Sequence, residues 1–467
     1  MKVFNTLSKN KEEFIPIKSG KILIYQCGPT VYWTQHIGNM RAVFVGDIIN
    51  RTFKYLGYKV NFVRNYTDVG HLTSDGDFGE DKMDKGARRE KISPNEIAEK
   101  YIKEYERDIK DLNTLPANST PKATEYILQM KSLIKILLKK KFAYETELGI
   151  YFDTSKAKDY TKLSGQKIDF NIKGQGHGDI EDFKKKNSSD FALWIYKKGS
   201  HKDALQTWPS PKIGLFNFDK IPEGFPGWHI ECSAMIKSLL GKTIDIHIGG
   251  IEHIPVHHTN EIAQSESANN ALFVKYWLHN EHLLINNAKM AKSEGTAYSL
   301  SEIISKGFEP LALRFFFLQA NYRSKQNFTW EALESSQNSL NKLRKDISKL
   351  DNSKANPDNI FVNNFKEKIS DDFNTPQALS LIYEVLESSL EERVKRATVL
   401  DFDKVLGLKL DEYKIEDIPE EITKIAQDRQ LARKSKNFEE SDRLRDEALK
   451  IGFQIKDTNE GFEIEKI

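Results

Sequence analysis

The chain has 467 residues, and its 70 Lys and Arg residues nearly balance 68 Asp and Glu residues, leaving a formal net charge of +2. This length predicts about three domains, because a typical domain has roughly 150 residues. The balanced charge excludes a protein that coats nucleic acid with a uniformly basic surface, so any polyanion must bind at a local patch. The chain has only two cysteines, which excludes a disulfide-stapled secreted scaffold and favours a reducing compartment.

Composition and hydropathy indicate a folded protein without a membrane segment. Hydrophobic residues make up 39% of the chain and charged residues 30%, as in ordinary globular domains. The polar stretch Met1–Lys11 lacks the apolar core of a secretory signal. The densest apolar stretches, Ala42–Ile49 and Leu311–Ala320, are far shorter than the roughly 20 residues of a membrane-spanning helix. We therefore expect a cytoplasmic protein with no membrane partner.

The first hundred residues carry the pattern of a parallel α/β sheet. Lys21–Gln26 is typical of a short buried strand, and Cys27-Gly28-Pro29 ends it. Apolar residues at helical spacing predict a helix over Ala42–Leu56, and alternation predicts a second strand over Lys59–Arg64. A strand, a loop, a helix and a second strand form a βαβ unit, which predicts an α/β fold with a Rossmann-type parallel sheet.

The remaining chain divides by composition and periodicity. The character changes at Leu115, and β/α features resume near Pro226 and Ile244–Ile248, so we predict an insertion within the sheet domain. Helix-forming stretches after Glu302 predict a helical bundle. We expect five segments: the first part of the sheet domain (1–114), the insertion (115–222), the second part of the sheet domain (223–300), the bundle (301–400) and a small terminal unit (401–467).

Histidines are concentrated in one short part of the sequence. Seven of the eleven lie between His229 and His282, together with Cys232. His257 and Glu261 are four residues apart and would share one face of a helix. With Cys27 and Cys232 they offer two thiolates, an imidazole and a carboxylate, a set that suits tetrahedral zinc. The cysteines could equally be small buried hydrophobes beside hydrogen-bonded histidines, and the spacing alone does not decide.

Two further patterns indicate phosphate binding. His36-Ile37-Gly38-Asn39 follows the first strand and leads into a helix, where free N–H groups and the helix dipole favour an anion. Lys289-Met290-Ala291-Lys292-Ser293 places two lysines in a loop. Each pattern alone is typical of an ordinary loop or solvated surface. Their occurrence together on one α/β scaffold favours a nucleotide site.

These motifs, taken in order, resemble the cysteinyl-tRNA synthetases, a family of class I aminoacyl-tRNA synthetases. The matching stretches are CGPTVY (27–32), HIGN (36–39), GWHIECSAM (227–235), HHTNE (257–261) and KMAKS (289–293). The resemblance covers the whole chain, because Asp371–Pro376 and the stretch from Ala432 to Asp446 are also similar to the family.

The resemblance implies a Rossmann-type catalytic domain split by a connective insertion, then a junction, a helical bundle and a small anticodon-reading domain. It implies one Zn²⁺ per chain, which binds the substrate thiolate and so rejects serine, whose hydroxyl is a poor zinc ligand. We expect no editing domain, because such a contact discriminates by roughly 10⁴–10⁵. The zinc ligands that the family pattern implies are Cys27, Cys232, His257 and Glu261.

The resemblance also implies a two-step reaction in which L-cysteine and ATP form cysteinyl-adenylate, which then acylates tRNA(Cys). His36, Gly38 and Asn39 would contact the ATP phosphates, and Mg²⁺ would accompany the nucleotide. Lys289 and Lys292 would neutralise the pyrophosphate. Catalysis of this kind needs positioning and charge stabilisation rather than a protein nucleophile.

Thr67 and Trp228 correspond to the family's cysteine pocket, although a strand-end threonine and a core tryptophan are equally ordinary explanations of these two residues. Basic residues between Lys424 and Lys450 predict a helix with one basic stripe for RNA, or a solvated helix of mixed charge. We expect a monomer.

The sequence departs from the family pattern at several places. Asn39 stands where histidine is more usual, and Ala291 where serine is common. The path from Val69 to Lys82 is longer than in many relatives, and Ile248–Glu252 alters a Gly-rich turn, so we transfer no side-chain roles across these two stretches.

Two other functions remain open at this point. A ligase that joins activated cysteine to a small amine would need the zinc and phosphate motifs but no terminal anticodon-type unit. A structural or RNA-binding protein with a folding zinc would have no use for the two phosphate motifs.

Overall fold

A computed structural model describes residues 1–73, 79–165, 184–211, 221–290, 295–412, 419–458 and 461–466. The chain forms two units, Met1–Asp411 and Glu412–Ile467. The helices of the described ranges include none that is long and apolar enough to cross a membrane.

The strands in chain order are β1 (Lys2–Asn5), β2 (Asn10–Glu13), β3 (Lys21–Gln26), β4 (Lys59–Arg64), β5 (Ala143–Glu145), β6 (Gly149–Phe152), β7 (Phe191–Tyr196), β8 (Trp208–Pro209), β9 (Glu223–Pro226), β10 (Ile244–Gly250), β11 (Val274–Asn280), β12 (Leu283–Ile285), β13 (Ala288–Lys289), β14 (Gln326–Phe328), β15 (Phe453–Thr458) and β16 (Gly461–Lys466). The α-helices are α1 (Ile37–Tyr55), α2 (Lys82–Glu90), α3 (Pro94–Asp111), α4 (Ile127–Lys139), α5 (Trp228–Leu239), α6 (Thr259–Asn269), α7 (Leu300–Ser305), α8 (Pro310–Leu318), α9 (Trp330–Ser348), α10 (Asn359–Ser370), α11 (Thr375–Glu387), α12 (Glu392–Leu406), α13 (Glu420–Lys434) and α14 (Phe438–Lys450).

A four-stranded parallel sheet in the order β11-β10-β3-β4 forms the centre of the first unit. The predicted βαβ unit is present as β3, α1 and β4, and the predicted Rossmann-type fold is confirmed. Helix α1 begins at Ile37 rather than at Ala42, because His36 and Asn39 form a reciprocal cap. The carboxyl ends of β3, β4 and β10 lie at one edge of the sheet, which is where ligands bind in this fold class.

An antiparallel sheet in the order β5-β6-β7-β9-β8 occupies much of the stretch predicted as an insertion. Its apolar core includes Phe152, Phe191 and Trp194. Strand β9 pairs with both β7 and β8, so this sheet extends beyond the predicted boundary at 222/223. Because β9 ends at Pro226, one residue separates this sheet from α5 and Trp228.

Helices dominate the chain after α7. Helix α12 runs through the predicted boundary at 400/401, and the second unit begins at Glu412. That unit consists of α13, α14 and the hairpin β15–β16, packed around Ile422, Ala426 and Ala448.

The predicted basic stripe of the second unit does not lie on one helix. The stretch is broken between α13 and α14, where Lys436 has a positive φ of 60°. Its arginines also have acidic partners: Arg429 is buried and donates two hydrogen bonds to Asp457, and Arg443 pairs with Glu440 and Glu447. Sequence spacing could not reveal these pairs.

A buried ion network joins α1 to α8. The Asp47 carboxylate accepts hydrogen bonds from Arg314 Nη2 at 2.7 Å, Arg51 Nε at 2.8 Å and Leu115 N at 2.7 Å. Burial alone would raise the pKa of Asp47, but the two guanidinium groups bring it below its ordinary value. Asp47 and Arg314 interrupt the two densest apolar stretches of the sequence, and in the fold they pair with each other.

Replacing Asp47 with Asn should therefore destabilise the protein strongly. The amide keeps the shape of the carboxylate but leaves the buried charge of Arg314 without its partner, which typically costs about 3–5 kcal/mol. The exposed pair Glu391–Arg393, 2.7 Å apart, provides a control, because Glu391→Gln should change the free energy of unfolding by less than about 1 kcal/mol. Denaturant titration followed by circular dichroism measures both, and equal effects would contradict a structural role for the network.

Candidate active site and metal centre

A pocket opens at the carboxyl edge of the parallel sheet. It is bounded by the segment after β3, the start of α1, the start of α5 and the turn that follows β10. Seven of the site residues predicted from sequence line it: Cys27, His36, Asn39, Thr67, Trp228, Cys232 and His257. Motifs that are far apart in the chain thus meet in one cavity.

Four potential metal ligands meet at one end of the pocket. Cys27 follows β3 and Cys232 lies in α5. His257 lies in a π-helical turn, Ile254–His258, that continues into α6, where Glu261 follows. The His257 Nε2 and Glu261 Oε1 atoms are 2.9 Å apart, as expected for residues one turn apart. One ligand atom from each of the four residues lies within 4.8 Å of the other three.

The electrostatics of this cluster favour a cation. Burial raises the pKa of the Cys27 thiol. The hydrogen bond between the two thiols has the opposite effect on Cys232 and lowers its pKa to about 6. Burial would raise the pKa of Glu261, but His247 and His257 lower it to about 2. Burial would lower the pKa of His257, but Glu261 and Cys232 raise it to about 9. Two sulfurs, one imidazole nitrogen and one carboxylate oxygen form a donor set that fits tetrahedral zinc.

A second potential ligand set overlaps the first. His247 and His258, with Cys27 and Glu261, also bring four ligand atoms within 4.8 Å of one another. The sequence located the histidine cluster but gave no role to His247 or His258. The signal for His247 was its position inside β10, a strand that is wholly buried. A buried imidazole needs a polar partner, so a nearby polar group could have been expected.

The surrounding histidines form close contacts with these potential ligands and with one another. His247 Nε2 is 3.0 Å from Glu261 Oε2, and His229 Nδ1 is 3.1 Å from His257 Nδ1. His258 Nδ1 is 2.7 Å from His279 Nε2. Burial holds the pKa of His229, His258 and His279 well below the ordinary value. Neutral imidazoles of this kind orient metal ligands by hydrogen bonding.

The start of α1 lines another part of the pocket, which we call its helix end, through His36 and Asn39. His36 Nδ1 accepts from Asn39 N at 3.3 Å, and Asn39 Oδ1 accepts from His36 N at 3.2 Å. The first turn of α1 contains no acidic residue, so the positive end of the helix dipole faces the pocket without compensation. The asparagine that departs from the family pattern completes this cap.

The two phosphate motifs lie against each other. A β-carbon added at Gly38 would lie 2.7 Å from Met290 Cε, so the side chain of Met290 would have to shift to admit it. Ile37 N donates to Tyr298 O at 2.8 Å, just beyond the KMAKS loop. Lys289 is exposed at the end of β13. Ala291, Lys292 and Ser293 lie outside the described residues.

Arg41 fastens α1 to the base of the hairpin β12–β13, which leads into the KMAKS motif, a role that the sequence did not reveal. Its buried guanidinium donates to Glu281 O at 2.6 Å and His282 O at 3.0 Å, directly before β12. It also donates to Asn321 O at 3.3 Å and Ser324 O at 2.7 Å, ahead of β14, which pairs with β12. Burial lowers the pKa of Arg41 to about 10, so the side chain stays charged at neutral pH.

Comparison with known proteins places the chain among aminoacyl-tRNA synthetases. The family profile described as "tRNA synthetases class I (C) catalytic domain" matches residues 13–338, and a "DALR domain" profile matches residues 364–389. The chain is 40% identical to the cysteine–tRNA ligase of Lachnoclostridium phytofermentans, with 99% of each chain covered. It is 40% identical to that of Caldicellulosiruptor saccharolyticus, with 100% of each covered, and 39% identical to cysteine–tRNA ligase 1 of Burkholderia lata, with 98% of this chain and 95% of the relative covered.

A solved structure shares the fold at much lower sequence identity. Methionyl-tRNA synthetase of Mycobacterium tuberculosis, bound by methionyl-adenylate, aligns with a TM-score of 0.53 and 13% identity, covering 83% of this chain and 90% of that chain. This likeness supports the class I fold independently of the sequence motifs.

Replacing Arg41 with Met should loosen the base of the KMAKS hairpin. Four carbonyl groups would lose their donor, and unpaired buried groups cost about 1–3 kcal/mol each. Hydrogen exchange followed by mass spectrometry should show faster amide exchange over β12 and β13. The control is Arg88→Met, which removes an exposed arginine bonded to Glu80 and to Asp203 O. Exchange no faster in Arg41→Met than in this control would contradict the anchoring role.

Proposed function

The chain belongs to the cysteinyl-tRNA synthetase family, and on that premise we propose how its residues divide the work of charging tRNA(Cys). The enzyme is a cysteine–tRNA ligase: it forms cysteinyl-adenylate and pyrophosphate from L-cysteine and ATP, then transfers the cysteine to the 3′-terminal adenosine of tRNA. This identity sets aside the small-amine ligase and the zinc-folded RNA-binding protein. One observation carries this proposed division of roles. A single pocket is lined both by the two clustered thiols and by the capped start of α1.

We propose that the metal end selects the amino acid. One Zn²⁺ would be held by Cys27, Cys232, His257 and Glu261. When bound, the metal supplies a soft Lewis acid that accepts the substrate thiolate as a ligand and binds the serine hydroxyl poorly. His247 and His229 hold Glu261 and His257 in orientation. Discrimination of roughly 10⁴–10⁵ by such a contact makes a separate editing site unnecessary.

Thr67 and Trp228 would form the wall that holds the amino acid. Thr67 is buried, and its Oγ1 accepts from Asn65 Nδ2 at 3.3 Å. The indole of Trp228 stacks against His257 with ring centroids 4.2 Å apart. A substrate whose thiolate is bound at the metal end would therefore lie beside this indole, with its carboxylate free to face the nucleotide.

The helix end would bind ATP. His36, Gly38 and Asn39 contact the phosphates at the positive end of α1, and Mg²⁺ accompanies the nucleotide. Lys289 and Lys292 neutralise the pyrophosphate as it leaves. The protein contributes position and stabilisation of the developing charge, because the substrate carboxylate is itself the nucleophile.

The other segments would engage the RNA. The match of the DALR profile supports a tRNA contact by the bundle (301–400), and we assign anticodon reading to the terminal unit (401–467). The first and second parts of the catalytic domain would be 1–114 and 223–300, separated by the connective insertion (115–222). We propose a monomer that works in the cytoplasm.

Adjacent histidines provide a sharp test of the zinc ligands. His257→Asn should lose the zinc, together with calorimetrically measured cysteine binding, because it removes one of four ligands. His258→Asn, at a neighbouring buried position, should retain about one zinc per chain, since outer-shell changes typically weaken affinity only 10–100-fold. Cys232→Ser should behave like His257→Asn. If His258→Asn lost the zinc and His257→Asn retained it, the metal would be assigned to His247 and His258 instead.

The purified protein should catalyse cysteine-dependent ATP–pyrophosphate exchange and charge tRNA(Cys). Its kcat/KM for cysteine should exceed that for serine by about 10⁴ or more. Lys292→Ala should lower the exchange rate while the zinc content stays the same, because its target is the leaving pyrophosphate. Efficient charging with serine would contradict selection at the metal.

A further inference from the structure

The longer path between β4 and α2 brings one histidine to the pocket. Lys82 N donates to His71 O at 2.9 Å, and Thr73 N donates to Glu80 O at 3.0 Å. Gly70 N donates to Asp81 Oδ2 at 2.7 Å. These bonds join the two described ends of the stretch, so the backbone of His71 is fixed. The side chain is buried, with 8% exposure, and lines the pocket.

Both ring nitrogens of His71 have partners. Lys82 Nζ lies 2.7 Å from Nε2, and Thr30 Oγ1 lies 2.5 Å from Nδ1. An ammonium group only donates hydrogen bonds, so Nε2 must accept, and Nδ1 therefore carries the proton and donates to Thr30. The imidazole is thus neutral and held in one tautomer and one ring orientation.

The ring held in this way stacks on Trp228. The two ring centroids are 3.9 Å apart and the planes differ by 9°. Trp228 in turn stacks on His257 at 4.2 Å with an interplanar angle of 29°. His71, Trp228 and His257 all line the pocket, so the indole is in contact with a fixed imidazole as well as with the residue at the metal end.

We propose that His71 is a positioning residue for cysteine, which holds the Trp228 indole at the place where it contacts the substrate. The inference rests on the proposed function, in which Trp228 walls the cysteine pocket. A ring held by two hydrogen bonds keeps the indole in one orientation before substrate arrives, so less conformational freedom is lost on binding. The side chain of His71 contacts Thr30, Lys82 and Trp228, none of which we assign to the nucleotide, so we expect its effect on cysteine rather than on ATP.

Four variants of the zinc-loaded full chain test this role. His71→Ala removes the stack and both hydrogen bonds, whereas His71→Phe keeps a planar ring. Lys82→Met removes the donor to Nε2, and Lys85→Met, an exposed lysine in the same helix, is its matched control. The measurements are cysteine binding by calorimetry, KM for cysteine and for ATP in pyrophosphate exchange, and zinc content.

His71→Ala should weaken cysteine binding and raise its KM by about threefold to tenfold, the range expected for one aromatic pair. Its KM for ATP and its zinc content should match the wild type. His71→Phe should recover most of the loss, and Lys82→Met should raise the KM for cysteine while Lys85→Met does not.

Three results would overturn the inference. They are unchanged cysteine binding in His71→Ala, a Phe variant as impaired as the Ala variant, and a change of zinc content or of KM for ATP as large as the change for cysteine. Failure of the proposed function is distinguishable, because it would appear as wild-type protein without cysteine-dependent exchange. Wild-type exchange together with unchanged cysteine binding in His71→Ala would overturn only the role of His71.

Discussion

The close packing of two thiols and a carboxyl group inside the protein is the constraint on which the rest of the site depends. Two thiols, a carboxylate and the imidazole of His257 have ligand atoms within 4.8 Å of one another. In a low-dielectric interior, such groups can be ionised together only if positive charge lies among them. Cys27, Cys232 and Glu261 come from three separate places in the chain, so the fold brings together groups that a bound cation would stabilise.

The neighbouring histidines do not supply that charge. His229, His258 and His279 are all buried, and burial holds their pKa well below the ordinary value. They therefore act as neutral hydrogen-bonding groups, whereas the pKa of His257 is raised to about 9. A metal held here would take His257 as a neutral imidazole, with His229 hydrogen-bonded to His257 and His247 to Glu261.

Local features of the site could be predicted from sequence, and features that depend on long-range packing could not. The βαβ unit and the pairing of His257 with Glu261 follow from periodicity over a few residues. The placement of β10 beside β3, which brings Cys27 to that pair, entered only through the family resemblance. Arg41 and His71 were missed because their partners are backbone carbonyls and rings far away in the chain. The prediction of a single basic stripe in the terminal unit was wrong. The turn near Lys436 divides the stretch, and the acidic partners of Arg429 and Arg443 appear only in three dimensions.

Helix α1 shows how a departure from the family pattern can preserve local structure. The helix is fixed at three levels, by the His36–Asn39 cap, by Arg41 and by Asp47. Asparagine at position 39 carries no charge, but it closes the cap through its Oδ1 and so keeps the first turn in place. Because that turn contains no acidic residue, the helix dipole remains available to an anion. The positive potential at the start of α1 therefore comes from backbone geometry that the cap preserves, and it does not depend on a second imidazole.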